Sequence, residues 1–476
     1  MQPPERNCTH PYLLPLAGLC SMDRATQTDW SLDESVTRLK RIHYVLRGVH
    51  ELLIARISGE PIYELKMLYS HHAYLCAEQV SLLRSRVGEM REPPLGLDKV
   101  PHGGLETTLD EISRCPETLQ FLSAIYSVLI DECIQACQRL KRDAHPLADA
   151  PSVRIAKLME FELDELQQSG VACLDGLKKR EKEKLESLEP WNEHLHSLLD
   201  SAGGIDATKP PTEPPDIRWY NKNAVVYEKE PKRDARFKDP YNAGVNPEAF
   251  LYDERYSAID KTLMLYYKRL REIDVPEVMA TILVDLRDEE PWDFHMEMSR
   301  QLWDEARHAM MGETGFVSHG IDWTKIPINF TWSKNLNTQL DPRERHGVLF
   351  FIEQGLMPKT GKRFEWEVAS ESGDPLAKLF QDFDWADEVL HAQIGRRWYV
   401  PRYQSLNEAL SYGDECWSRV LSKWKEYRDQ GLTDHRNWWP DLYTEFCNKR
   451  GISPDPDTLA FHETYEQKRA DLENLK

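Results

Sequence analysis

From Ser31 onward, apolar and polar positions recur at helical spacing. Val36, Leu39, Ile42, Val45, Leu46 and Val49 fall mostly three or four apart, which predicts an amphipathic helix. Ser58-Gly59-Glu60-Pro61 reads as a stop and a new start, with Pro early in the next helix. A second helix is expected over 61–90, a third over 117–142 and a fourth over 151–188. A loop rich in Pro and Gly, 92–104, divides the second from the third, and residues 1–30 read as an irregular arm. Four long helices with short or medium connections predict a helical bundle over 31–201. The charge-dense run from Lys178 to Lys184 reads as a solvated helix end.

The pattern changes over 202–250. Gly203-Gly204, Pro210-Pro211 and Pro214-Pro215 punctuate a polar stretch, as in a linker or a wrapping arm. Trp219, Tyr220, Tyr227, Phe237 and Tyr241 imply that it packs onto something. Helical spacing returns over 249–273, with Ile259, Leu263, Tyr266, Tyr267 and Leu270 on one side. Asp274-Val275-Pro276-Glu277 reads as a helix start, with Asp as cap and Glu at the capping-box position. Further helices are expected over 291–312, over 342–355 and after Asp374-Pro375, with an aromatic-rich loop over 315–337. A helical C-terminal extension, 401–476, carries Trp417 and Trp424 ahead of a Trp438-Trp439-Pro440 turn. No segment has a convincing strand period and no short repeat is evident, so the expected fold class is all-α.

Composition narrows the functional classes. The 476 residues suffice for two or three domains, and 41% hydrophobic with 29% charged residues describes a globular chain. A net charge of −20 disfavours nucleic acid and anionic membranes as partners. No window approaches a membrane span, and Met1 to Glu5 lack the basic start of a signal peptide. Nine dispersed cysteines without a Cys-x-x-Cys pair fit a reducing, cytoplasmic setting, with Cys133 and Cys137 packing as small hydrophobes. Twelve of the 14 tryptophans lie from Trp219 onward, which places the larger aromatic core in the second half.

The chemistry concentrates in two copies of one pattern. Trp303-Asp304-Glu305-Ala306-Arg307-His308-Ala309 and Trp385-Ala386-Asp387-Glu388-Val389-Leu390-His391-Ala392 each contain Asp-Glu-x-x-His-Ala within a helical segment. Glu and His three apart share a helical face and can reach one metal ion. A lone Glu-x-x-His is a weak signal, and a third one, at Glu193 and His196, has no companion. The pair gains weight from register: Glu305 lies 14 residues after Pro291, and Glu388 lies 13 after Pro375. A dinuclear carboxylate site also needs a Glu from each of two further helices. Glu277 lies 14 residues before position 291, as far from that turn as Glu305. Glu353 lies 35 residues before Glu388, with a turn near 370–374 between them. The expected ligand set is therefore Glu277, Glu305, His308, Glu353, Glu388 and His391. Such a set suits non-haem iron or manganese, with open positions for oxygen. Without cations, four buried carboxylates would repel one another and titrate upward.

These segments resemble the ferritin-like superfamily. Within it they look like a family of di-metal carboxylate proteins distantly related to the di-iron tRNA hydroxylases. The resemblance is carried by Pro276 to Ala280, Phe294 through His308, Phe351 to Leu356 and Asp387 to Trp398, in the ligand order Glu, Glu-x-x-His, Glu, Glu-x-x-His. It covers about a quarter of the chain, and its motifs specify fold and metal site more than reaction. It implies a four-helix di-metal domain over 251–400, after the bundle and the linker. It also implies two non-haem iron ions (or manganese, or one of each), and an oxidase or oxygenase acting on a small organic substrate with O2. The alternative is a non-catalytic helical scaffold or partner-binding protein, in which the same residues form a metal-free buried network. Metal storage is disfavoured by the large extra domains, and a homodimer is left open. One departure is Pro276 directly before Glu277, which makes Glu272 its rival; Glu365 and Glu367 rival Glu353. Asp304 and Asp387 are candidates to hold the His rings, and His346 is either a further such partner or an ordinary core His. Tyr266 and Tyr267 read as core, and His295 and His319 have no motif around them. The N-terminal helices carry Glu51, His71, His72, Glu78, Glu132 and Glu160 but no Glu-x-x-His, and read as structural or partner-binding.

Overall fold

A computed structural model describes residues 13–91, 96–220, 227–421 and 424–464. The readings of Met1 to Glu5 and of the start of the 92–104 loop lie outside these residues, as does the side chain of Trp424. The described residues are helical and contain no strand, only an isolated bridge between Val245 and Thr464. The chain divides into two compact units, one of 1–53 with 75–226, the other of 54–74 with 227–476.

The first unit contains most of α1 (Leu32–Gly59) and the later part of α2 (Tyr63–Glu89). Val36, Leu39, Ile42, Val45, Leu46 and Val49 are all buried, as their spacing requires. α3 (Gly103–Ser113) lies inside a stretch whose periodicity is too short to stand out, and His102 caps it by accepting from the Gly104 amide at 3.0 Å. The expected third helix runs as α4 (Thr118–Leu122), a π-helical segment (Ser123–Leu129) and α5 (Ile130–Asp143). α6 (Ala150–Lys178) stops well short of 188, and α7 (Leu188–Ser201) follows as a separate helix. The Pro-rich stretch after it is anchored: Arg41 donates to the carbonyls of Ile205 and Ala202 at 2.8 and 2.7 Å. Further on, the Glu111 carboxylate accepts the Trp219 and Tyr220 amides at 3.1 Å each.

The second unit holds the connection between α1 and α2. Within it, Tyr63 packs on Phe237 and Trp323, with ring centroids 6.1 and 5.5 Å away. Among the described residues, its helices of nine residues or more are α8 (Ala258–Arg271), α9 (Asp274–Asp285), α10 (Trp292–Ser318), α11 (Thr331–Gln339), α12 (Pro342–Gly355), α13 (Lys362–Glu371), α14 (Pro375–Trp398), α15 (Leu406–Leu421) and α16 (Trp439–Arg450). The core joins Leu263, Tyr266, Tyr267 and Leu270 of α8 to Ala306, Ala309 and Phe316 of α10, Val368 of α13 and Trp439 of α16. α10 packs on α8, α9 and α14, and α14 packs on α12 and α13.

Three local features set the site. α8 and α9 do not merge, because Pro276 has no N–H and its ring would meet the carbonyl four residues earlier, that of Glu272. The expected capping box at Asp274 is absent: Ile273 is the N-cap and Asp274 pairs with Arg233 instead. Gly312 lets α10 approach α8 closely, since a Cβ there would stand 2.2 Å from the Leu270 amide nitrogen. Finally, α13 fills the interval between α12 and α14, so the turn near 372–374 joins α13 to α14. Elsewhere, α11 occupies part of the expected aromatic loop, and Trp438-Trp439-Pro440 opens α16 with Pro in its first turn.

Candidate metal centre

Glu305 and His308 sit mid-way along α10, and Glu388 and His391 along α14, all four buried. α12 adds Glu353 near its C-terminus, and Glu272 caps the end of α8. Among the described residues, two groups of side chains bring potential ligand atoms within 4.8 Å of one another. One group is Glu272, His308, Asp384 and Glu388; the other is Glu305, Glu353, Glu388 and His391. Glu388 belongs to both. Its Oε1 lies 3.0 Å from Lys362 Nζ and its Oε2 lies 3.6 Å from His391 Nδ1.

Glu305, His308, Glu388 and His391, the two motif pairs, come together in these groups, and Glu353 joins them. Glu277 does not join them. Its carboxylate is buried against Lys66 at 2.8 Å, Arg233 at 3.0 Å and the Ser333 hydroxyl at 2.7 Å. The two cations hold Glu277 down to about 2 against the cost of its burial, while Asp274, buried beside Glu277 and sharing Arg233, is pushed up. Equal distance from a turn fixes height on a helix but not the face a residue presents, and the break at Pro276 leaves Glu272 facing His308 at 3.3 Å. The other rivals lie elsewhere: Glu365 pairs with Lys268, and Glu367 accepts from Arg363 at 2.9 Å.

The buried atoms that find no hydrogen-bond partner include Glu272 Oε2, His308 Nδ1, Glu305 Oε1, Glu353 Oε2, Glu388 Oε2 and His391 Nδ1. Other buried polar atoms among the described residues share this state, but these six belong to the residues of the two groups. Burial followed by the Glu388 and Glu305 carboxylates pushes Glu353 well above the usual carboxyl range. Burial opposes charge on His308, yet Asp387, Glu272 and Glu305 outweigh it and raise the ring to about 10. A divalent cation between these groups would satisfy the orphaned atoms and relieve the carboxylate repulsion, so the donor set fits a metal such as iron or manganese.

The opposite nitrogen of each imidazole is tied across the motifs. His308 Nε2 lies 3.2 Å from Asp387 Oδ2, and His391 Nε2 lies 3.4 Å from Asp304 Oδ2. Arg307 bonds both aspartates, and Arg300 donates to Asp304 at 2.9 Å. A proton on Nε2, donated to Asp, leaves Nδ1 as the ligand atom.

Three participants escape the motif reading. Asp384 stands four residues before Glu388 on the same face of α14, a spacing that signals it in retrospect. Lys362 opens α13 and contacts both Asp384 oxygens at 3.0 Å. Arg269, on α8, pairs with Asp384 and with Glu272 at 2.8 Å. Neither cation carries a local sequence signal. His346 packs on Phe294 and Tyr399 rather than on a ligand, and burial pushes it down to about 3. The Tyr266 hydroxyl donates to Asp374 at 2.8 Å, where His319 also binds, and Tyr267 packs against Trp438. Glu193 and His196 lie on the rim of an open cavity of about 590 Å³ in the first unit, and among the described residues neither belongs to a metal-ligand group. Comparison of the chain with protein-family models, with curated proteins and with solved structures gives no match.

Proposed function

We propose that this chain is a ferritin-like di-metal carboxylate protein, holding iron or an iron–manganese pair, that oxidises or oxygenates a small organic substrate with O2. The observation that carries this reading is the pair of ligand groups sharing Glu388, with one His in each. That is the donor plan of a di-metal helical bundle, with Glu272 and Glu353 as the single carboxylates and Glu305 and Glu388 as the Glu-x-x-His carboxylates. When bound, such ions supply the electrons for oxygen reduction. The chain's own residues hold the donors in place and keep them dry. Asp387 and Asp304 keep the His Nε2 protons, so that Nδ1 faces the carboxylates. Burial of Glu305, Glu353, Glu388 and His391 excludes bulk water.

The test is an anaerobic iron titration followed by exposure to oxygen. The expected outcome is stoichiometric iron in the purified chain and an oxygen-dependent absorbance change. Iron far below one ion per chain would overturn the proposal. A second reading, a non-catalytic helical scaffold, draws support from Lys362 and Arg269, which already neutralise part of the buried charge. It expects metal-stripped protein to keep its full thermal stability.

A further inference from the structure

We infer that the two ligand groups are unequal: the Glu305–Glu353–Glu388–His391 group is the tight position for one divalent cation, and Lys362 with Arg269 are resident cations that compete for the other. The inference rests on the reading of this centre as metal-binding, and it concerns residues outside the Glu and His motifs.

The argument is one of charge and contact. The first group holds three carboxylates, Glu272, Asp384 and Glu388. Two buried cations already sit on them. Lys362 Nζ lies 3.0 Å from each Asp384 oxygen and 3.0 Å from Glu388 Oε1. Arg269 pairs with Asp384, lies 2.8 Å from Glu272 and reaches Glu388 Oε1 at 4.0 Å. Both side chains are buried to within 1%. A divalent ion entering here meets two positive charges where little water screens them. It must also displace Lys362 from oxygens that would otherwise be its ligands.

The second group differs. It too holds three carboxylates, Glu305, Glu353 and Glu388. Among the described residues, the ion pairs of Glu305 and Glu353 are with His308 and His391 and with no Lys or Arg. Four of its atoms, Glu305 Oε1, Glu353 Oε2, Glu388 Oε2 and His391 Nδ1, are buried without hydrogen-bond partners. Glu388 is divided between the two positions, with Oε1 on the ammonium of Lys362 and Oε2 toward His391. Orphaned atoms occur in the first group too, at Glu272 Oε2 and His308 Nδ1, but there Lys362 and Arg269 already sit on the carboxylates, whereas Glu305 and Glu353 of the second group pair with neither.

The full chain, freed of metal and titrated anaerobically with Mn(II), tests this, with free Mn(II) read by its EPR signal. One ion should bind per chain, and any second should bind at least about 100-fold more weakly. Glu353→Gln should abolish the tight step, and Glu272→Gln should leave it within about threefold of wild type. Lys362→Met should bring the second step to within about tenfold of the first. Should Lys362→Met fail to fold, wild-type stoichiometry and the Glu353/Glu272 contrast still decide the matter. Two ions bound with similar affinity by wild type, or equal losses in Glu353→Gln and Glu272→Gln, would overturn the inequality and leave the metal reading intact. Absence of any binding, with iron as with manganese, would overturn both.

Discussion

His391 Nε2 lies 3.4 Å from Oδ2 of Asp304, a residue 87 positions earlier in the chain, and Asp387 makes the reciprocal contact with His308 at 3.2 Å. Each Asp-Glu-x-x-His motif therefore orients the imidazole of the other. Asp387→Asn should weaken metal binding by about 10- to 100-fold, as loss of a partner to a ligand His typically does. Competition with a chelator of known affinity measures this. Asp304→Asn should act similarly. The double variant should lose less than the product of the two, because Arg307 bonds both aspartates. Unchanged affinity in both single variants would show that the crossed contacts do not orient the rings.

Glu277 and Glu388 are both buried, yet their removal should have opposite signatures. Glu277→Gln should leave metal content unchanged and cost about 3–5 kcal/mol in a urea unfolding series, because it leaves the buried Lys66 without its carboxylate and Arg233 with Asp274 alone. Glu388→Gln should strip metal from both groups, since among the described residues it is the one shared between them. Metal analysis of the two purified variants, side by side, separates the roles. Metal loss in Glu277→Gln would restore it to the ligand set.

The same network sets an acid limit on stability. Glu277 is held at about 2, below its ordinary 4.5, against burial by Arg233 and Lys66. A carboxylate depressed in the folded state contributes stability that is fully present above its unfolded value. That stability is lost as pH falls from about 4.5 toward about 2. Lys66→Met removes one of the two cations, so Glu277 should take up its proton at higher pH. The acid-unfolding midpoint, followed by far-UV circular dichroism, should move upward. A midpoint equal to wild type would argue against this pair as an acid-sensitive element.

Removal of metal should be visible in heat as well. An ion that binds only the native chain stabilises it by mass action, by about 4 kcal/mol at a concentration 1,000 times its Kd. Chelator-treated protein should therefore melt several degrees lower, and Mn(II) should restore the transition. Coincident melting curves with and without chelator would favour the scaffold reading.

Much of this centre was legible from spacing alone. Glu305, His308, Glu388 and His391 follow from one helical rule applied twice; Glu353 does come beside them, but the turn used to place it joins α13, not α12, to α14. Glu272 was harder, because Pro276 favours two readings: a fresh helix with Glu277 as ligand, or a break that turns Glu272 inward. Only the backbone geometry at Ile273 decides between them, and it is set by tertiary contacts such as Arg233 with Asp274. Lys362 and Arg269 were not legible at all. Both lie on a different helix from Asp384 and Glu388, and an isolated Lys or Arg in a helix is ordinarily a solvated surface residue. The grouping of 54–74 with the second half was hidden for the same reason, since Tyr63 and Lys66 meet partners far along the chain.

The crossed aspartate–histidine contacts also bear on the order of assembly. Neither Glu-x-x-His helix carries a finished half-site: until α10 and α14 dock, each imidazole lacks the aspartate that selects its ligand nitrogen. A nascent chain released after α10 would present Glu305 and His308 without Asp387 or Glu353. On the metal-binding proposal, tight capture would therefore belong to the last stage of folding, and an ion would act as a latch on docked helices rather than a seed for them.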